Sequence, residues 1–455
     1  MGKISGTISS HKNSLSQKNI KRILDIVKKS VTPDKDIIKQ VDKIVDAINE
    51  QIIKSRTGAV CVKGGSIGKD TYLKNDHDVD LFVKFNMEYK DKDISDILER
   101  ILQKIFKNIS RIHGSRDYFQ FVKQDAHYEI IPVLNIHPSN YNDIQNVTDM
   151  SPEHVVWVGK YTENDPGLKD EIRLAKQFCK SCNAYGAESY INGFSGHIID
   201  ILIIYYGSFI NMIRSFSLLN NISKENPVII DVERHLKDPL KELNESKLSP
   251  LIIIDPVQPE RNSAAALGEE KLGIFISACR YFLEKPDMSY FSIKRFNLDD
   301  KVNGSIKSIR RSSKQKIKVV VLDIITLGGS KDVVGTKVLK VYEEAIKHCR
   351  LNGFIVLGSG WDFEYEKKSA VIYLIFDKRS LSAQDEHIGP PLSSKQDAEK
   401  FKKKHGDKVF IKDNRLYAMI PRAYIDPEDF MKDFINKDFI KIRIRSIKIK
   451  KIIVR

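Results

Sequence analysis

The stretch Lys63-Gly64-Gly65-Ser66-Ile67-Gly68-Lys69-Asp70-Thr71, followed by Asp78-Val79-Asp80-Leu81-Phe82, decides the reading of this chain. The residues before it, 59 to 63 (AVCVK), read as a strand. The Gly-Gly-Ser turn that follows lets backbone approach a phosphate closely, because glycine tolerates the dihedral angles required. A helix starting at Gly65-Ser66 would aim its first N–H groups at a triphosphate. The Ser66 hydroxyl and the Lys69 ammonium add donors. This is not a P-loop, because no Gly-Lys-Ser/Thr follows at the required spacing.

Twelve residues after Ser66 come Asp78 and Asp80 at i and i+2. On a strand they share one face, and Val79, Leu81 and Val83 share the other, which suits a core. Two carboxylates on one face repel each other unless a cation sits between them. Mg²⁺, which takes carboxylate and phosphate oxygens, is the obvious occupant. A site for two ions needs a third acid, and Glu129 is the best candidate. It stands alone among apolar residues in His127-Tyr128-Glu129-Ile130-Ile131-Pro132-Val133. A glycine turn, a D-x-D or an isolated glutamate is each weak evidence. The ordered set, with the third acid about fifty residues on, is much harder to meet by accident.

Working outward, 455 residues exceed one core and suggest about three or four domains. Residues 1–150 read as a mixed α/β domain that opens with helices. Residues 151–290 read as helical, and 291–455 as a further α/β part. Helices are expected at 94–109, 171–182, 196–209 and 269–283. A strand–helix–strand–strand unit is expected over 317–376, and residues 380–415 read as turns around a Lys-rich helix. The fold class is therefore α+β and multidomain.

No run of 18 apolar residues occurs, and the N-terminus lacks the apolar segment of a secretory signal. No membrane partner is expected, and the expected compartment is cytoplasmic. Cys179 and Cys182 form a C-x-x-C without a second ligand pair, so they read as reduced core cysteines. Lys plus Arg number 75 against 60 acids, a net charge of +15 that favours a polyanion partner. Asp200, in an Ile-rich helix, reads as core packing.

The glycine turn, D-x-D and distant acid resemble the polymerase-β-like nucleotidyltransferases. Further segments narrow the resemblance to the CCA-adding enzymes of the archaeal class. They are Arg173-Leu174-Ala175-Lys176-Gln177-Phe178, Tyr185-Gly186-Ala187-Glu188, Gly193-Phe194-Ser195-Gly196, Asp255-Pro256-Val257 with Arg261-Asn262, and His387-Ile388-Gly389-Pro390-Pro391. The resemblance covers about residues 60 to 425. It implies a polymerase-β-like head, a neck, a body and a tail. It also implies addition of CCA to the 3′ end of tRNA from CTP and ATP, with two Mg²⁺ ions.

Under that resemblance, Asp78, Asp80 and Glu129 hold the metal and carry catalysis. Gly65, Ser66, Lys69, His154, Lys176 and Tyr185 hold the triphosphate, and Arg261 selects the base. The tRNA acceptor stem and elbow lie on the body and tail, and a homodimer is left open. Two departures stand out. Met150 follows Asp149 where the family has arginine, and Asp70 follows Lys69 where glycine is usual. A poly(A) polymerase or other RNA terminal transferase would share the head residues. A non-catalytic RNA-binding protein would not need them intact.

Overall fold

Val79, Leu81 and Val83 are fully buried, while Asp78 and Asp80 face the other side of the same strand. In the computed structural model, which describes residues 4–454 apart from 35, 75, 77, 138–143, 313–315 and 380, the chain divides into two compact units, residues 1–294 and 295–455.

The first unit begins with helices α1 (Ile4–Val31) and α2 (Asp36–Ser55). Strands β1 (Val60–Lys63), β2 (Asp78–Phe85), β3 (Ser110–Ile112), β4 (Tyr118–Lys123) and β5 (Ala126–Leu134) form one sheet in the order β1-β2-β5-β4-β3. Only β2 and β5 run parallel, with Asp80 opposite Glu129. A one-turn helix, α3 (Gly65–Gly68), and α4 (Ile94–Leu102) complete this part.

Apolar residues of α2 (Val41, Ile44, Ile48, Ile52) and α4 (Leu98, Ile101, Leu102) cover the buried face of the sheet. The expected helix 94–109 stops at Leu102. Beyond it the chain turns inward, where Phe106 stacks on Phe121 with ring centroids 4.3 Å apart.

A second core gathers α5 (Ser151–Asn164), α6 (Gly167–Ser181), α7 (Gly196–Tyr206), α8 (Phe209–Ser217) and α10 (Glu269–Glu284). Between α8 and α10 lie the parallel pair β6 (Val228–Ile230) and β7 (Leu251–Ile253), and the short α9 (Pro239–Glu242). Ile20, Ile23, Val27 and Val31 of α1 belong to this core rather than to the sheet's. Phe178 sits among Phe209, Phe275, Phe282 and Phe291, with centroids 5.4–5.9 Å away.

The helix expected over 196–209 breaks at Gly207, whose φ of +74° is left-handed. The chain turns by 94°, and Ser208 caps α8 by accepting from the Asn211 N–H. No single described helix is long and apolar enough to cross a membrane.

Asp149 joins the sheet to the second core. Its side chain is fully buried and accepts from the Arg116 guanidinium, from Leu134 N–H at 2.9 Å and from Asn146 N–H at 3.1 Å. Arg116 therefore supplies the cation, and the neighbouring Met150 is buried in the core. Replacing Asp149 with alanine leaves Arg116 largely buried without its counter-charge. The expected loss is about 3 kcal/mol, measured as a shift in urea midpoint.

The second unit opens with α11 (Leu298–Ser312), followed by β8 (Ile317–Thr326), α12 (Lys331–Leu351), β9 (Val356–Glu364) and β10 (Ser369–Asp377). Next come β11 (Gln384–Pro391), α13 (Lys395–His405), β12 (Val409–Lys412) and β13 (Arg415–Pro421). Last are α14 (Pro427–Phe434), α15 (Asp438–Lys441) and β14 (Ile444–Val454). The main sheet is antiparallel in the order β14-β8-β10-β9.

Strand β8 is apolar on both faces because both are covered. Val320 and Leu322 meet α12, while Val319 and Val321 meet Val302 and Ile306 of α11. Pro390 and Pro391, expected in a turn, end strand β11 instead. They are tolerated because β11 is an edge strand of the sheet β11-β13-β12, and its register breaks between Ile388 and Pro391.

Candidate active site

Parallel pairing of β2 with β5 sets Asp80 directly beside Glu129, since neighbouring strands lie about 4.8 Å apart. The glycine turn closes over them. Gly64 donates its N–H to the Asp80 carbonyl at 2.8 Å. A Cβ on Gly65 would lie 1.8 Å from Asp80 Oδ2, and Gly65 has a left-handed φ of +51°. Glycine is therefore required there both by space and by conformation. Helix α3 starts at this turn and carries Ser66.

Across the sheet, Gln120 of β4 donates its Nε2–H to Glu129 Oε1 at 2.7 Å and fixes that carboxylate. Asp78 is exposed at the mouth, while Asp80 and Glu129 are half-buried. Burial, and then the negative charges of Glu129 and Asp78, push the Asp80 carboxyl up to about 7. Three acids crowded enough to drive one of them toward neutrality fit a divalent cation.

Lys176, expected at the triphosphate, lies on α6 with Arg173 and Lys180 at i−3 and i+4. The ridge Arg173, Lys176 and Lys180 of α6 does not face solvent. It clamps the segment joining the glycine turn to β2. Arg173 donates to the Asp70 carbonyl and carboxylate and, at 3.1 Å, to the Tyr72 carbonyl. Lys176 donates to Thr71 Oγ1 at 2.8 Å and to the Thr71 carbonyl at 3.2 Å. Lys180 donates to Asp76 at 2.9 Å. Asp70 is thus a partner of α6, and its left-handed φ of +52° shows how it replaces a glycine there.

Lys69 and Lys176 converge on Asp200, the residue that resembled core packing in the sequence. Lys69 Nζ lies 2.8 Å from Asp200 Oδ2, and Lys176 Nζ 3.4 Å from Oδ1. Burial alone would raise Asp200, but the two ammoniums outweigh it and hold the carboxyl down. Tyr185 lies alongside. A Cβ on Gly196 would stand 3.1 Å from Tyr185 Oη and 3.9 Å from Lys176 Nζ. Burial, with Asp76 and Asp200 adding to it, raises the Tyr185 phenol, which stays protonated.

His154 and Arg261 meet on Asp255. His154 Nε2 donates to both carboxylate oxygens, at 2.9 and 3.1 Å. Arg261 Nη1 lies 3.3 Å from Oδ2, and Ser263 Oγ donates at 3.0 Å. Asp255 therefore caps no helix. Its Oδ1 accepts from Val257 N–H in a local turn. Burial alone would raise Asp255, but the hydrogen bonds from His154 outweigh it and hold the carboxyl well below the usual carboxylate range; His197 Nε2 is 3.7 Å away.

Burial pushes His197 itself down to about 3, so it is neutral. His154, His197 and Asp255 bring ligand atoms within 4.8 Å, close enough for a metal ion. The two rings lie tilted at 34° with centroids 3.9 Å apart. His113 is exposed and pairs with Asp117, away from this constellation. Cys179 and Cys182 are free thiols.

Two family models match the chain: the second domain of tRNA nucleotidyltransferases over residues 170–292, and the C-terminal domain of CCA-adding enzymes over 330–440. A CCA-adding enzyme of Nanoarchaeum equitans is 31% identical over 398 residues, which cover 86% of this chain and 91% of that protein. The chain belongs to the CCA-adding enzyme family. A member from Pyrococcus abyssi is 31% identical over 74% of this chain and 75% of its own length. One from Methanocaldococcus jannaschii is 26% identical over 93% and 92%. A solved structure of a cytoplasmic RNA terminal U-transferase aligns at a TM-score of 0.49 and 13% identity over 61% of this chain and 100% of that one, too loose a likeness to carry an argument.

Membership makes the chain a nucleotidyltransferase, and its fold is the α+β multidomain arrangement described above. Within this family member, Asp200 and His197 are the site residues that the sequence did not announce. Asp200 had one signal, a lone acid on an otherwise apolar helix face, Ile198 to Ile203. Such an acid needs a buried partner. His197 had none beyond its place after Gly196.

Proposed function

We propose that this CCA-adding enzyme family member completes the 3′ end of tRNA with C, C and A, drawing on CTP and ATP and releasing pyrophosphate. The observation that carries this reading is the in-register pairing of Asp80 with Glu129 beneath the Gly64-Gly65 turn.

Asp78, Asp80 and Glu129 would hold two Mg²⁺ ions. When bound there, the metal supplies activation of the RNA 3′-hydroxyl and neutralisation of the leaving pyrophosphate. The chain's own residues do the positioning. Gln120 orients Glu129, and Gly65 leaves room for the Asp80 carboxylate. Ser66, Lys69, Lys176 and Tyr185 receive the triphosphate, and the α6 clamp fixes the segment between them.

Arg261 selects the base. Its guanidinium is about one-third exposed and tethered at one nitrogen by Asp255, leaving other donors for an acceptor edge. On their Watson–Crick edges C (N4, N3) and A (N6, N1) both present an amino group beside a ring-nitrogen acceptor, whereas U and G present a carbonyl beside a ring N–H. Arg261→Ala is expected to lose discrimination against UTP and GTP by about tenfold or more before turnover fails. Misincorporation rates for each NTP measure it, and unchanged discrimination refutes the role.

The function is tested by incubating tRNA lacking its end with each NTP alone and in combination. A CCA-adding enzyme extends by C, C and then A and stops. Continued A addition would identify a poly(A) polymerase, and no extension a non-catalytic RNA-binding protein.

A further inference from the structure

Asp200 has no place in the chemistry described so far, yet two buried ammoniums meet on it. Lys69 is 8% exposed, Lys176 3% and Asp200 1%. Lys69 follows α3, Lys176 lies on α6 and Asp200 on α7, so the carboxylate also ties the glycine turn to the helical core. Two ammoniums buried this closely would repel each other, and each bears a desolvation penalty of several kcal/mol unless compensated. Asp200 is the shared counter-ion, and with it the trio carries a net charge of +1.

We propose that Asp200 is a positioning residue for nucleotide binding: it keeps Lys69 and Lys176 protonated and side by side, so that an incoming triphosphate meets a preformed pair. This rests on the reading of those two lysines as triphosphate ligands and adds the group that holds them ready.

The balance of charges around Lys176 sets the direction. Burial lowers its pKa most strongly, and Lys69 lowers it further. Asp200 and then Asp76 oppose this without lifting it back to the ordinary lysine value. The neutral His197 faces Asp200, and Tyr185, a protonated phenol, adds no charge. With Asp200 neutral, Asp76 is the acid left to offset burial and Lys69. One of the two lysines then sheds its proton at a lower pH in the empty site. A triphosphate can bind only by restoring that proton. Binding linked to uptake of one proton weakens about tenfold per pH unit above the lowered pKa. Tightness at low pH is not diagnostic, because removing a negative charge near a triphosphate also favours binding there. The slope with pH is.

The experiment is equilibrium binding of CTP to the full chain without RNA, under saturating Mg²⁺ so that the triphosphate does not titrate, across about pH 7 to 9. The dissociation constant of the unaltered protein is expected to be nearly flat. That of Asp200→Asn should rise about tenfold per unit over part of this range, and Asp200→Glu should restore the flat profile. A flat profile for Asp200→Asn overturns the proposal, since a merely structural role would not create a proton-linked slope.

If the single variant does not fold, Asp200→Asn combined with Lys69→Met keeps the buried net charge at +1. Lys176 still lacks its counter-ion there, and the same slope is expected; a flat one overturns the proposal. Lys176→Met separates the two readings. If it binds CTP as the unaltered protein does, the lysine is no triphosphate ligand, and the underlying assignment fails together with the proposal. If it weakens CTP while Asp200→Asn stays flat, only the role of Asp200 fails.

Discussion

Asp80→Asn is expected to lower nucleotide incorporation by about a thousandfold or more while making the metal-free protein more stable. Both effects follow from the same crowding. Asparagine keeps the shape and loses the charge, so a cation bound by Asp78 and Glu129 alone is held weakly. In the unaltered protein the Asp80 carboxyl is raised to about 7 by burial and by its acidic neighbours. The folded state therefore holds its proton more tightly than the unfolded chain does. Between the unfolded value, about 4, and 7, stability falls as pH rises, and it stays lost above 7. Asparagine removes that loss.

In EDTA above neutral pH the variant should melt a few degrees higher, at about 2–4 °C per kcal/mol. Added Mg²⁺ should raise the melting temperature of the unaltered protein and leave that of the variant nearly unchanged. An Asp80→Asn protein that retains incorporation, or that melts lower in EDTA, removes Asp80 from the metal site.

Gly65→Ala is the second large effect. Its Cβ would stand 1.8 Å from Asp80 Oδ2 at a φ of +51°. Either the carboxylate rotates away or the turn retreats, and a shift of about 1 Å in a positioned group costs on the order of 100-fold in rate. The left-handed backbone adds about 1–2 kcal/mol of destabilisation. Incorporation should therefore fall about 100-fold, with a melting temperature only a few degrees lower. Near-normal activity would show that the glycine turn does not bear on the carboxylates.

The two variants probe the part of the site that local pattern made legible. Asp78, Asp80 and Glu129 stand out because strand alternation separates them from Val79, Leu81, Ile130 and their neighbours within a few residues. The glycine turn stands out because its composition is its signal. The α/β unit around Ile317 was legible for the same reason, since continuous apolar residues mark a strand covered on both faces.

What was not legible depends on contacts distant in sequence. Lys69 meets Asp200 across 131 positions, and His154 meets Asp255 across 101. No periodicity connects such pairs. Asp200 looked like a core residue because it is one by burial, and only its partners make it electrostatic. Lys176 is expected at the triphosphate from the resemblance, and nothing local shows that it and its neighbours Arg173 and Lys180 also bind the backbone and acids of residues 70–76. The break at Gly207 shows the opposite limit. A continuous apolar run gives no warning that one glycine will turn the chain through 94°.

The pairing of β2 with β5 has a consequence for chain length. Adding or deleting one residue inside β5 before Glu129 would swing its carboxylate into the apolar interior and bring Tyr128 or Ile130 out in its place. The loop after Leu102 carries no such constraint, because slack there is absorbed before the next strand begins, whereas the two-residue turn at Gln124-Asp125 sets the register of β4 against β5. Length variation should thus be tolerated in the loop after Leu102 and silence the enzyme within β5, however conservative the inserted residue.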